Sequence, residues 1–472
     1  MEKEGKLFSN TLLLGLSTAL CKTVSFLLLP LYTAALSPAE FGTADIFINT
    51  AVLLLPLVSL YAPEAVFRFR AGGERGAFGV GLLFLGVGLA AFALLLPLFG
   101  FSRILKPYIG LLFAYVSASV LRSFLAQTLR ADGAFGLYAL QQVFCALLTA
   151  LLQYLLLFVF ELGIAGYLLG VVLSDATTFL LLLLCLLGRW WEREPITRVL
   201  CKKMLKFSLP LIPTASLWWV MAVSDRFFVL RFCGERITGL YAAAGRLPSL
   251  LSFIVGVFLE AWHYAWLRCK KEERETLFSR IYGLFLPLLL AGGALISLIA
   301  RPLVEILLAP DYRGAMEFVP LLVLGAVCGG LSNYLDSVYA LFYKTHASLL
   351  TALAAAGGNF LLNLALIPSL GGFGAALATA LSYILLLMLR LWHVRRYLRF
   401  EGRVPLLLSS LSFMLFGAAL LGKGYMLPGA LFGAVVIAFC APGGLLALRF
   451  FVKRGLIWLK ALKKTQKKQE KI

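Results

Sequence analysis

Apolar runs of about 20 residues, the length of helix that crosses a bilayer's hydrocarbon core, recur from Phe8 almost to Phe451 with short polar breaks between them. No ordinary soluble globule has this pattern. Hydrophobic residues make up 61% of the 472 and charged residues 14%, against roughly 45–50% apolar in soluble domains. The pattern predicts an all-α, polytopic membrane protein. Run lengths and turn signals place about fourteen spans, near 8–36, 41–66, 77–100, 107–130, 136–160, 163–188, 207–232, 238–262, 278–300, 315–340, 346–368, 372–396, 404–421 and 425–450. The first run is too long for a signal peptide's apolar core and lacks a small-residue cleavage site, so it is expected to be a retained helix.

The formal charge is +20, which in a soluble protein would raise the question of nucleic acid. Here the basic residues sit in short loops and in the tail, and no nucleic-acid partner is expected. Loops on the amino-terminal side carry Arg68, Arg70, Arg75, Arg130 and the clusters within 189–206, 268–280 and 395–403, and the tail adds lysines from Lys453 onward. Opposite loops hold Arg103, Lys106, Arg231, Arg236, Arg301, Arg313 and Lys423. This asymmetry places both termini in the cytoplasm. The cysteines form no CxxC pair and the histidines His263, His346 and His393 lie far apart, so neither a metal site nor a cofactor is expected.

Two halves are expected. Leu162–Asp175 aligns with Leu370–Tyr383, matching Gly166 with Gly374 and Ser174 with Ser382, and a glycine opens the second helix of each half at Gly42 and Gly239. Both pairs begin on the same side, which predicts parallel six-helix repeats. The chain then divides into an N-terminal lobe 1–188, an interfacial linker 189–206, a C-terminal lobe 207–400, two added helices at 401–451 and a basic tail 452–472. Linker and tail mix tryptophan and leucine with basic residues, as segments lying on anionic membrane lipids do.

Within Leu217–Glu260, Asp225, Arg226 and Arg246 interrupt apolar runs. A charge at a helix centre in lipid costs about 2.5–3.5 kcal/mol even on the lenient scale. Two readings stay open: Asp225 and Arg226 neutralise each other or a neighbouring helix and so hold the bundle together, or they line a polar cavity.

The motifs LSPAEFGTADIF (Leu36–Phe47), DRFFVLRFCGERITGLYAAAGRL (Asp225–Leu247) and NFLLNLALIPSLGGFGAALATALSY (Asn359–Tyr383) resemble those of bacterial polysaccharide-biosynthesis flippases of the multidrug/oligosaccharidyl-lipid/polysaccharide exporter superfamily. The likeness is weaker to the lipid II flippase branch, whose first helices carry more arginines than the lone Lys22 here. The resemblance implies two lobes around a cavity that alternates between membrane faces. It also implies a polyprenyl-diphosphate-linked oligosaccharide as cargo and a bacterial cytoplasmic membrane as location. A transporter rather than an enzyme is expected, acting as a monomer.

Given such a cargo, Lys22, Arg226 and Arg246 are the candidate diphosphate ligands, and Arg122 with Arg68 a candidate loading site near the inner leaflet. Arg246 and Arg68 also suit snorkelling and positive-inside roles. Asp45, Glu64, Asp175, Asp225 and Asp336 are candidates for pairing with these cations or for binding a coupling proton or sodium ion. Asn359 and Asn363, four residues apart and so on one helix face, are candidates for sugar contact or for helix–helix hydrogen bonds. Trp219 is expected to place an aromatic plane below Arg226. Two rival functions remain: a cation-coupled multidrug exporter, which would favour a carboxylate-dominated cavity, and a membrane glycosyltransferase or polymerase, which would need a larger outer loop.

Overall fold

The structure is a computed structural model that describes residues 2–74, 76–186, 196–267, 269–342 and 344–400. The spans expected at 404–421 and 425–450, the basic tail and most of the linker's amino-terminal half lie outside the described residues. Among the described residues the secondary structure is helical, without strands. In chain order the α-helices are α1 (Glu2–Leu27), α2 (Leu29–Ala35), α3 (Pro38–Val58), α4 (Ala62–Arg70), α5 (Ala77–Leu95), α6 (Ile109–Ala131), α7 (Phe135–Tyr154) and α8 (Gly163–Leu186). They continue with α9 (Arg198–Ser208), α10 (Leu211–Arg246), α11 (Pro248–Leu267), α12 (Arg274–Leu298), α13 (Ala300–Leu307), α14 (Val319–Leu341) and α15 (Thr345–Val394).

Ten helical stretches among the described residues are long and apolar enough to cross a membrane. The two longest, Ala222–Leu259 and His346–Val394, each hold two of the expected spans. Each is broken by a glycine in the left-handed region, Gly234 at φ 83° and Gly371 at φ 59°, a conformation that side-chain-bearing residues seldom adopt. Large apolar side chains such as Leu94, Phe101 and Ile306 point outward, as a lipid-facing surface requires.

By internal packing the described residues form two compact units, one of Met1–Ala243 with Ile306–Tyr312, the other of Ala244–Glu305 with Arg313 onward. In the first unit α6 packs on α3, α4 and α8, and α7 packs on α1 and α8. The start of α3 is set by a capping box: Ser37 accepts from the Glu40 backbone N–H, Glu40 accepts from the Ser37 N–H, and Pro38 fills the first turn. The 306–312 segment joins this unit through two hydrogen bonds, Tyr312 Oη to the Leu36 carbonyl at 2.8 Å and the Ala309 N–H to Thr33 Oγ1 at 3.2 Å. Burial beside Glu40 and Asp311 pushes the Tyr312 hydroxyl's pKa up, which keeps it a donor.

The expected span 41–66 is not one straight helix. After Pro56 the backbone leaves the helix at Ser59, and Leu60 and Tyr61 take left-handed φ values of 50° and 57° before α4 begins. Non-glycine residues in that region cost about 1–3 kcal/mol each and persist where the surroundings fix them. Here α4 is clamped by burial of Ala62, Pro63, Ala65 and Val66 and by the Arg70–Asp132 pair at its far end.

The close approach of α3 and α10 depends on Gly42 and Gly239. A Cβ at Gly239 would sit 1.7 Å from the Pro38 carbonyl oxygen, and one at Gly42 would sit 2.3 Å from that of Glu235. Both obstacles are backbone, so neither can rotate away. Gly239→Ala is expected to lower stability by roughly 1–3 kcal/mol through forced helix separation, read as a lower melting midpoint of the purified protein in detergent; an unchanged midpoint would contradict this packing.

In the second unit α14 is the buried element, packed on α11, α12 and α15. Tyr334 is its aromatic centre, stacked on Trp262 and Phe258 and against Phe278, Tyr282 and Phe285. Ser337, one turn on, receives the Trp262 indole N–H on its hydroxyl and the Trp266 N–H on its carbonyl, at 2.9 and 3.1 Å.

Candidate functional site

Charges inside the first unit are held in pairs that join distant parts of the chain. The Arg226 Nη1 on α10 donates to both Asp45 oxygens on α3, at 2.9 and 2.8 Å. Asp45 is 2% exposed and the Arg226 side chain 21%, so the carboxylate lies inside the packing and the guanidinium keeps an open edge. Asp225, next in sequence, accepts from the Arg226 backbone N–H at 2.9 Å and from the buried Tyr241 hydroxyl. Arg226 therefore pairs with a neighbouring helix, α3, rather than with Asp225 beside it.

Arg122 on α6 forms the second pair. Its Nε lies 2.7 Å from Asp175 Oδ1 on α8, without the N–H aimed along that contact, and its Nη1 faces Gln141 Oε1 at 3.4 Å. Asp175 also accepts from Ser119 Oγ and from the Cys145 thiol. Arg68, the other half of the expected loading site, is exposed in the last turn of α4, where a positive-inside residue would stand.

Trp219, expected below Arg226, makes its polar contact with α3. Its indole N–H donates to the Asn49 carbonyl at 2.8 Å, and its ring packs on Phe227 with centroids 5.3 Å apart. Trp219 lines a cavity of about 300 Å³ that Glu64 also lines. Lys22 is exposed on α1 and engaged in a further interaction. Arg246, half-buried at the end of α10, belongs to the second unit and is likewise engaged.

Also in the second unit, Asn363 Nδ2 donates to Asn359 Oδ1 at 2.9 Å on one face of α15, and Asn363 Oδ1 is buried without a partner among the described residues. Asp336 on α14 pairs with a residue that sequence reasoning missed. Arg390, on α15, is 1% exposed; its Nη2 lies 2.9 Å from Asp336 Oδ1 and its Nη1 donates to the Ser332 carbonyl at 2.8 Å. Its position three residues before His393 and five before the Arg395–Arg396 cluster made it look like part of the positive end of a span. The signal that could have found it is Asp336, a carboxylate in an apolar run that needs a cation. Among the described residues no group of three or more His, Cys, Asp or Glu is placed to hold a metal ion.

Apolar helices long enough to cross a bilayer, with arginine–carboxylate pairs buried between them, define a helical membrane protein that holds charge in its interior. The sequence profile described as polysaccharide biosynthesis protein matches residues 7–263, and the chain belongs to that family. Among solved structures it is similar to the lipid II flippase MurJ in an inward closed conformation, with a TM-score of 0.67 and 14% identity over 95% of this chain and 100% of that one. It is similar also to an inward-facing multidrug resistance MATE family transporter of the MOP superfamily, with a TM-score of 0.62 and 14% identity over 79% and 95% of the two chains. The Vibrio cholerae MATE transporter VcmN follows at 0.55 and 15% identity over 84% and 97%. At these identities the likeness is one of fold. No curated protein sequence matches the chain.

Proposed function

We propose that this protein is a transporter that moves a polyprenyl-diphosphate-linked oligosaccharide from the inner to the outer leaflet of a bacterial cytoplasmic membrane, by alternating access between two six-helix repeats and without chemical conversion of the cargo. The observation that carries the reading is the Arg226–Asp45 pair. An arginine held by one buried carboxylate, with part of its edge open, is an anion-exchange site: a diphosphate oxygen takes the place of the Asp45 carboxylate on the guanidinium fork. Membership of a polysaccharide biosynthesis family supports a glycan cargo. Arg122, paired in the same way with Asp175, offers a second exchange point, and Lys22 and Arg246 complete the cationic set. Displaced carboxylates are where a coupling proton or sodium ion would act.

The test replaces Lys22, Arg226 and Arg246 singly by Ala and measures lipid-linked oligosaccharide on the inner leaflet at equal protein level. Accumulation is expected in each variant, most strongly for Arg226→Ala; export at the wild-type rate in all three would sink the reading.

A further inference from the structure

We propose that the cavity beside the break between α3 and α4 is a subsite for one neutral sugar ring of the glycan, built on Trp219 and Glu64 and closed to acidic sugars. This rests on the carrier reading above, since a sugar reaches an intramembrane cavity only as part of such a cargo. Size comes first. The cavity measures about 300 Å³, at the lower end of pockets that take small organic ligands. Since one water occupies about 30 Å³ of liquid, it is far roomier than a bare monovalent ion needs.

Its chemistry suits a sugar. The polar and aromatic lining is Ser59, Tyr61, Glu64, Ser119, Ser123 and Trp219. With its N–H bound to Asn49 and its ring set against Phe227, Trp219 has a fixed orientation and offers an aromatic surface for the C–H face of a pyranose. Asp45, Asp175 and Asp336 each face an arginine, whereas Glu64 has no ion pair among the described residues. Its carboxyl group can accept from a sugar hydroxyl and, when protonated, donate to one. The Tyr61 and Ser123 hydroxyls have no protein partner among the described residues, and Ser119, although it donates to Asp175, keeps acceptor capacity. Left-handed Leu60 and Tyr61 reorient the chain so that Tyr61 and Glu64 both reach the cavity.

The same lining contains no lysine or arginine. A uronic acid would bring its carboxylate out of water into a lining that offers no cation to pair with it, and a buried charge without a partner costs binding strongly. The subsite therefore selects against acidic sugars at the ring position it holds.

The experiment uses the full chain in nanodiscs and saturation-transfer difference NMR with glucose, N-acetylglucosamine and glucuronic acid, and in parallel measures binding of sugar-free geranylgeranyl diphosphate. The wild type is expected to bind the neutral sugars at least about tenfold more tightly than glucuronate. Glu64→Lys, which supplies the cation that the lining lacks, should narrow that ratio to within about threefold, and Trp219→Leu and the cavity-filling Ser123→Phe should each remove the sugar signal. Equal binding of glucuronate by the wild type, no binding of neutral sugars, or sugar binding untouched by all three variants would each overturn the subsite. Where the sugars fail but the diphosphate still binds and loses affinity on Arg226→Gln, the subsite alone falls; where the diphosphate does not bind, the carrier reading falls with it.

Discussion

Asp336→Ala is expected to destabilise the protein by about 3 kcal/mol or more, while Arg390→Met costs clearly less, although the two substitutions break the same ion pair. Arg390 is 1% exposed and Asp336 39%. Removing the carboxylate leaves an uncompensated guanidinium in the packed interior, and stripping one partner from a buried pair typically costs about 3–5 kcal/mol. The neighbours cannot replace the lost charge: the Ser332 carbonyl takes one N–H at 2.8 Å, and Thr351 and Ser348 stand at 3.5 Å. Removing Arg390 instead leaves Asp336 near the end of α14, partly exposed and still accepting from Ser348, and methionine fills much of the vacated volume. Melting of purified variants is the measurement, with a drop on the order of 10 °C for Asp336→Ala. The double variant should match Arg390→Met alone; equal losses in both singles would refute the asymmetry.

At the Arg226–Asp45 pair, Asp45→Asn and Arg226→Gln are expected to act in opposite directions on anion binding. Arg226→Gln removes the fork that grips a diphosphate and should weaken geranylgeranyl diphosphate by about 100-fold, the equivalent of about 2.7 kcal/mol and within the range of hydrogen bonds to charged groups. Asp45→Asn leaves Arg226 without the carboxylate that holds it at 2.8 Å, so the free protein loses stability and an arriving anion restores it. Binding should tighten by about tenfold or more, even as the ligand-free protein melts lower. A pair that only braces α3 against α10 would lower stability in both variants and leave affinity unmoved. Isothermal titration and melting with and without the diphosphate separate these outcomes.

How much of this was legible beforehand differs from element to element. The breaks at Gly234 and Gly371 fall between spans placed from run lengths and turn signals, because a glycine between two apolar runs is both the break and its sequence signal. At Leu60 and Tyr61 the break is carried by two residues that ordinarily continue a helix, and only Pro56 hinted at it. The candidate charges were readable as charges out of place, yet Trp219 was assigned to Arg226 by spacing along one helix, whereas its hydrogen bond to Asn49 on another helix decides where the ring points. Arg390 was passed over because an arginine near a span end has a cheap escape to the surface, and only the packing of α14 on α15 closes that escape.

By itself the sequence determined that the chain lives in a bilayer as helices, roughly where those helices run, and which side chains carry charge into the apolar interior. Hydropathy is a local property: each run of some 20 residues chooses its solvent independently of the rest. Tertiary structure alone decided which carboxylate faces which arginine, as with Asp45 and Arg226, 181 residues apart, and that Glu64 and Trp219 share a cavity. A helix turns about 100° per residue, so a partner is chosen by how each helix is rotated and how deep it sits against its neighbours. Those choices are made by the packing of whole faces, from the Gly42–Gly239 approach of α3 and α10 to the aromatic cluster around Tyr334.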